Sequence, residues 1–396
     1  MTGTHERVCR ILFVAHSMQV GGAERTLLRI MRHLAGTCEL YIAGPAGPML
    51  DSFRPLCRDT VILTAGYVPL SFNPAAYARA VVAALVNTVR LSRFMRGRTI
   101  DLVFSNTGVI LHGALAARLR RVPSVAMVHE IISPAILRRG LARLLRSWNQ
   151  RILVMSEAVR TTLGAPRSAY QVVKVPAAAG FDVRAEAPEG AGTTTNAFFP
   201  DGAPVVGVVG TVHPLKGQHH FLLMAANVAQ RIPSARFAIV GAYQPGSRYY
   251  RRLRRLCTRL GLDDRIVFTG FVDPVAPVLR RLTVVAVPSS SESLSMVGIE
   301  AMTLGKPVVA FDVGGVSEVV EHGVTGYLLS FGDYGAMAGA VCALLEDPQA
   351  AARMGLAGRA GAEQKFNAAD QLTRIESTLL EMLQARPRSE EKGAGL

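Results

Sequence analysis

The feature that most narrows the fold is a rhythm. Apolar runs of strand length alternate with helical stretches of about a dozen residues, and the pattern is played twice. RILFVAH, ELYIAG, VILTA, DLVFSN, SVAMVHE, RILVMS and QVVKVP are near-continuously apolar. Strict alternation of apolar and polar residues would mark a sheet with one wet face, whereas continuous runs mark strands buried on both faces. Between them lie AERTLLRIMRHLA, residues 75–96, a helix running to Arg121 and one running to Trp148. This order predicts a parallel sheet covered on both sides, a doubly wound α/β domain.

The rhythm stops at DVRAEAPEGAGTTTNAFFPDGAP, which is rich in Gly, Pro and Thr and has no period. It resumes at PVVGVVGTV, followed by a helix over 217–231, RFAIVG, an Arg-rich helix, RIVFTG, a short helix and VVAVPS. KPVVAF, a helix near Val316, TGYLLS and helices over 333–364 complete the second half. The expected domains are therefore 1–182, a linker over 183–203, and 204–365. An amphipathic last helix with a polar tail occupies 366–396. A length of 396 residues suits two domains that each bury a core of their own.

The five cysteines are scattered, odd in number and never spaced as C-x-x-C, which argues against a disulfide framework or zinc site and for a reducing compartment. The apolar run ILFVA is too short for a signal-peptide core. No stretch approaches the ~20 uninterrupted apolar residues of a membrane span; AAYARAVVAALVNTVRL comes nearest and is cut by Arg79 and Arg90. A cytoplasmic location is expected. The net charge of +15 favours anionic partners: nucleic acid, acidic head groups or phosphorylated substrates. Arg-rich solvated helices would give the same balance.

In open α/β sheets ligands bind beyond the carboxyl ends of the strands, so residues just after each apolar run are the candidates. HSMQVGGAER places Gly21-Gly22 there, either to let backbone approach a ligand or simply to turn from strand to helix. His129 ends SVAMVHE, where it could donate to a sugar hydroxyl; a capping or core histidine is the plainer alternative. GTVHPLKG places Lys216 at a helix start, either as a cation beside free amides that suits a phosphate or as a plain solvated lysine. SSESLSMVGIEAM follows VVAVPS, with a helix expected near Met296 capped by Ser293 or Ser295. Helical spacing separates Glu292 from Glu300 by ~12 Å, too far for a pair of catalytic carboxylates acting on one bond. Two ends of one extended ligand fit better. A solvated Glu292 and a helix-dipole role for Glu300 remain the bland alternative. AFDVGGVSEVVEHGVTGYLL adds Gly314-Gly315 and Glu318 at a further strand end. No Asp-x-Asp, His-Glu-x-x-His, Gly-x-Ser-x-Gly or Gly-x-Gly-x-x-Gly pattern stands where metal, nucleophile or dinucleotide chemistry needs it.

Taken in order, GGAER, VHE, VMSEAV, GTVHPLKG, the Glu-x7-Glu spacing of Glu292 and Glu300, and GGVSEVVEHGVTGYLLSFGD resemble the family-four glycosyltransferases of the GT-B fold, over nearly the whole chain. The resemblance implies two Rossmann-like domains facing a cleft, with the C-terminal helix crossing back to the first. It implies a retaining, metal-independent transfer of sugar from a nucleotide-sugar donor, a UDP- or GDP-sugar, to a glycan or lipid-linked acceptor. By that resemblance His129, Lys216 and Glu292 are catalytic: His129 near the reacting carbon, Lys216 on the donor diphosphate, Glu292 on the sugar hydroxyls. Gly22, Thr211, Lys216, Leu294, Ser295, Met296, Val297 and Glu300 bind donor, with Glu300 on the ribose. No metal and no cofactor is implied. The chain departs from the family in carrying Thr211 where an arginine is usual, Ser293-Leu294-Ser295 where glycines are usual, and Ala179-Gly180 at the interdomain turn. A GT-B-fold nucleotide-sugar epimerase and a non-catalytic homologue serving as partner subunit are the competing readings.

Arginine clusters at Arg90, Arg93, Arg96 and Arg98, at Arg138, Arg139, Arg143 and Arg146, and along SRYYRRLRRLCTRL suit an anionic membrane surface at the inner face. Solvated helix faces are the alternative. No nucleic-acid motif is present.

Overall fold

A computed structural model of the chain describes residues 8–66, 74–132, 135–164, 167–174, 199 and 202–385. The chain divides into two compact units, residues 1–175 with 369–396, and residues 176–368.

In the first unit the strands are β1 (Cys9–Val14), β2 (Cys38–Gly44), β3 (Asp59–Ile62), β4 (Leu102–Ser105), β5 (Ser124–Val128), β6 (Arg151–Val154) and β7 (Gln171–Val172). They form one sheet in the order β3-β2-β1-β4-β5-β6-β7, with every pairing parallel. In the second unit β8 (Val205–Val209), β9 (Arg236–Val240), β10 (Ile266–Gly270), β11 (Val284–Val287), β12 (Val308–Phe311) and β13 (Gly326–Leu329) form a parallel sheet in the order β10-β9-β8-β11-β12-β13. The doubly wound architecture expected from the apolar runs is thus present in both halves. Strands β4, β5, β11 and β12 are buried at every residue, as strands covered on two faces must be.

Helices complete the layers where the sequence placed them. The helix Gly22–Leu34 buries Leu27, Ile30, Met31 and Leu34, an i, i+3, i+4, i+7 stripe. The last helix, Ala368–Gln384, packs within the first unit. There His33 Nε2 meets Glu376 Oε2 at 2.8 Å, and Thr378 Oγ1 donates to Gln171 Oε1 at 3.0 Å.

Three expectations need correction. The helix near Val316 is only a 3₁₀ turn, Val316–Glu318. Val316, Val319 and Val320 are β-branched and fully packed, and Gly323 turns the chain at φ +77°. The helix expected to reach Arg121 is His112–Leu119, and Arg121 itself takes a left-handed φ of 55°. Cys9 and Cys38 form a disulfide: the parallel register of β1 and β2 sets them side by side, which spacing along the chain could not reveal. Ala179-Gly180 and the 183–203 linker, apart from Phe199, Gly202 and Ala203, lie outside the described residues.

In each sheet the strand order reverses once, between β1 and β4 and between β8 and β11. In open α/β sheets ligands bind at the carboxyl ends of the strands at such a reversal.

Candidate active site

In the second unit the loops after β8 and β11 meet at that reversal. After β8 the chain runs through Thr211 to a 3₁₀ turn, Pro214–Lys216, and then Gly217 at φ +66° before the helix Gln218–Arg231. A side chain at Gly217 would put a Cβ 1.8 Å from the Pro288 carbonyl oxygen, so only glycine lets the two loops touch. Ser290 N donates to Leu215 O at 2.9 Å across the same seam. Lys216 Nζ then reaches Glu292 Oε1 at 2.8 Å, and Ser289 Oγ donates to that oxygen at 2.8 Å. Glu292 is buried, with its side chain 9% exposed against 37% for Lys216. From the loop after β12, Gly315 N donates to the Glu292 backbone oxygen at 2.8 Å. Loops from β8, β11 and β12 are thus knitted around one glutamate. Lys216 and Glu292, assigned to different parts of a donor, are bonded to each other.

Ser295, not Ser293, caps the helix Met296–Thr303: its Oγ accepts from Gly298 N at 3.3 Å. The Ser295 and Leu294 side chains are buried, so a ligand could use only backbone groups there. Met296 and Val297 open the helix half-buried, and Glu300 is half-buried in its second turn. Thr211 is exposed, and its carbonyl accepts from Gln218 Nε2 at 3.1 Å. His213 accepts from Leu215 N through Nδ1 at 3.3 Å and so caps the 3₁₀ turn.

The first unit gathers a different chemistry at its reversal. His129 follows β5, half-buried, with Nε2 3.0 Å from Asn106 Oδ1. An amide oxygen only accepts, so the imidazole proton sits on Nε2. Asn106 Nδ2 in turn donates to Ala23 O at 3.0 Å, at the start of the first helix. Burial, aided by His16, lowers the His129 pKa to about 3. Glu130 accepts from Thr107 Oγ1, from His129 N at 3.2 Å and from Gly108 N at 3.4 Å. Burial still raises its carboxyl above the ordinary range. Glu24 is 4% exposed, and burial raises it to about 7; its own backbone amide and Ser17 pull the other way, while Glu130 adds to the rise. His16 Nδ1 stands 3.9 Å from Glu24 Oε1, and burial lowers the imidazole's pKa. His16, Ser17, Gln19 and Glu130 help line a cavity of ≈ 470 Å³. Neutral imidazoles and reluctant carboxyls make this a place for hydroxyls, whereas the second unit presents a cation.

A Cβ on Gly21 would lie 2.6 Å from Glu24 Oε2, while one on Gly22 would meet nothing within 4 Å.

Comparison with known proteins bears on both units. A family model described as Glycosyltransferase Family 4 matches residues 20–165, and one described as Glycosyl transferases group 1 matches residues 203–347. The 2-deoxystreptamine glucosyltransferase of Streptomyces kanamyceticus is 30% identical over 287 residues, 68% of this chain and 73% of that protein. The chain belongs to the family-four glycosyltransferases.

Another relative matches over less. The D-inositol 3-phosphate glycosyltransferase of Nocardia farcinica is 40% identical over 161 residues, 39% of this chain but only 36% of that protein's length. Among solved structures, Anabaena HepE in complex with UDP-glucose aligns with a TM-score of 0.79 and 26% identity, over 94% of this chain and 99% of that one. The sucrose-phosphate synthase of Thermosynechococcus elongatus shares the GT-B fold, with a TM-score of 0.77 at 21% identity over 96% of this chain and 100% of that one.

The first-unit cluster includes side chains that the sequence did not single out. Glu24 and Glu130 sit beside residues that were singled out, in GGAER and VHE, and a buried acid next to each was the available signal. His16 and Asn106 gave none beyond their place at strand ends. Two members of the arginine clusters serve the fold: Arg98 pairs with Asp59 and stacks on Phe94 at 4.0 Å, and Arg146 donates to Tyr170 Oη at 3.1 Å. Among the described residues no helix is long and apolar enough to cross a membrane.

Proposed function

We propose that this family member transfers a sugar from a nucleotide-sugar donor to a hydroxyl of a glycan or lipid-linked acceptor, with retention at the anomeric carbon and without a metal. The observation that carries this reading is the convergence of Lys216, Glu292 and the Gly315 loop at the β8–β11 reversal. A cation paired with a buried carboxylate offers one partner for phosphate and one for sugar hydroxyls. The solved complexes of HepE with UDP and with UDP-glucose support a uridine nucleotide as the first donor to try.

In this reaction the bond from the anomeric carbon to the diphosphate oxygen breaks as the bond to the acceptor oxygen forms on the same face. The acceptor's proton passes to the departing diphosphate oxygen, so no protein base is required. Lys216 and the amides opening the helix Met296–Thr303 hold the growing charge on the diphosphate, fixed dipoles that need no rearrangement. Glu292 releases Lys216 to the phosphate and turns to the sugar hydroxyls, while Glu300 takes the ribose. In the first unit, the neutral His129, held by Asn106, lines the approach of the acceptor hydroxyl. The cytoplasmic side is proposed on the supply of nucleotide sugars alone, since the Cys9–Cys38 bond removes the cysteine argument for a reducing compartment, with any lipid-linked acceptor met at the inner membrane face.

The test is a panel of UDP- and GDP-sugars, scored for binding and for diphosphate release with and without a membrane lipid extract. One donor should bind and turn over, its product should keep the anomeric configuration by NMR, and EDTA should leave the rate unchanged. Inversion would reject the same-face mechanism, and EDTA inhibition the metal-free one. Binding of a donor without release under any acceptor would point to a non-catalytic homologue.

A further inference from the structure

The helix Pro74–Arg96 is apolar on two sides: Ala83, Leu91 and Met95 are buried, and a second apolar stripe faces out. Asn87 and Thr88 are on its buried side. Asn87 is satisfied by the segment beneath it, accepting from Thr64 N at 3.0 Å and donating to Thr64 O at 2.9 Å. Thr88 Oγ1 donates to Ala84 O at 2.7 Å. The outward side carries Val81, Val82, Leu85, Val86 and Val89, exposed by 58, 60, 57, 39 and 49%. Their spacing of i, i+1, i+4, i+5 and i+8 draws one stripe along the helix. A solvated helix places such residues inward and its amides outward. Single exposed apolar residues are ordinary, but a contiguous stripe marks a surface that something covers.

The same side continues into cations. Arg79 is exposed near the start of the stripe, and Arg90, Arg93 and Arg96 are exposed beyond its end. Arg90 spends one nitrogen on Thr64 Oγ1 at 3.2 Å. The helix contains no Asp or Glu.

We propose that this face docks on an anionic lipid surface. Val81, Val82, Leu85, Val86 and Val89 enter the boundary between head groups and acyl chains, and Arg79, Arg90, Arg93 and Arg96 reach the lipid phosphates. A second copy of the chain is a poorer occupant, because each copy carries a net +15 and pairing would gather arginines without a counter-charge. A neutral apolar groove on another protein would leave the arginines unused. The inference deepens the transfer reading by naming the surface from which a lipid-linked acceptor is taken. It rests on that reading for its purpose only, since docking needs no donor.

The experiment is co-sedimentation of the full chain, without donor, on vesicles of phosphatidylcholine alone or mixed with phosphatidylglycerol. Binding should appear with the anionic vesicles and fall with added salt. Leu85→Gln with Val86→Asn should weaken it by about tenfold through lost insertion. Arg93→Gln with Arg96→Gln should weaken it by roughly ten- to thirtyfold. These side chains are exposed, and an unchanged circular dichroism spectrum confirms that each variant is folded. Arg251→Gln with Arg255→Gln, on the other arginine-rich helix, should leave binding as it was. Equal binding to both vesicle types, no effect of the Leu85 and Val86 changes, or an equal loss from the Arg251 and Arg255 changes would each overturn the proposal. So would a dimer in solution that Leu85→Gln dissolves. Diphosphate release by the same variants in vesicle-free solution reports on the transfer reading separately.

Discussion

Replacing Lys216 with Met and Glu292 with Gln, singly and together, probes the centre of the second unit's site. Glu292 Oε1 receives Lys216 Nζ and Ser289 Oγ, both at 2.8 Å, inside a loop that is almost closed to water. Two unit charges 4 Å apart attract by about 4 kcal/mol at an effective dielectric near 20. Much of that is returned, because the ammonium remains 37% exposed and the carboxylate gave up hydration to be buried. A charge-assisted hydrogen bond nets about 1.5–3 kcal/mol. The coupling between the two side chains should therefore be about 1–2 kcal/mol in the ligand-free protein. Lys216→Met leaves a buried carboxylate with one hydroxyl and should cost about 2 kcal/mol. Glu292→Gln still accepts from Ser289 and lets Lys216 turn to water, so it should cost about 1 kcal/mol. The double variant should lose less than the sum. Urea unfolding of the four proteins measures the cycle, and steady-state transfer with the donor found in the panel measures the chemistry. Lys216→Met should lower kcat by about 10²–10³, the usual loss when one fixed charge leaves a site of developing anion. A coupling below about 0.5 kcal/mol would reduce the pair to a surface contact, and a Lys216→Met rate within threefold of wild type would refute the role given to that lysine.

Gly217→Ala should destabilise the second unit by about 3 kcal/mol or more, since it adds a left-handed penalty to a Cβ that would meet the Pro288 oxygen at 1.8 Å. A thermal midpoint within 2 °C of wild type would show that the seam can open freely. Glu24 binds its proton more tightly folded, at about 7 against an ordinary 4.5, so its contribution to stability is full below pH 4.5 and declines as pH rises to 7. The stability gained by Glu24→Gln should therefore grow over that window, by up to about 3 kcal/mol. A difference that stays flat with pH in urea unfolding would reject the burial of the charge. His129, whose pKa is lowered to about 3, acts in the opposite sense: its penalty appears as pH falls from 6.5 towards 3.

What could be read from the chain was periodic. Continuous apolar runs announced β4, β5, β11 and β12, and the rule that ligands meet strand ends pointed to Lys216, Glu292 and His129 before any side chain was placed. What could not be read depended on register and facing. The Cys9–Cys38 bond follows from how β1 lies on β2. The pairing of Lys216 with Glu292 needed the contact of two loops far apart in sequence, made possible at Gly217. The stretch over 74–96 read correctly as helix, yet its period is the same whichever side faces out. Only burial of Asn87, beside Leu91 and Met95, and exposure of Leu85 showed that a second apolar stripe faces out. The 3₁₀ turn at Val316 was misjudged because local glycine signals outweighed a valine-rich run that resists helix.

The knitting of Glu292 has a consequence for changing what this enzyme accepts. Its carboxylate is tied to the loop after β8 and its backbone oxygen to the loop after β12. A loop graft from a relative that exchanges only the segment after β11 would therefore arrive without its anchors on either side. The three segments form a single transplantable cassette, and donor preference should move between relatives only when 210–217, 288–295 and 312–318 travel together.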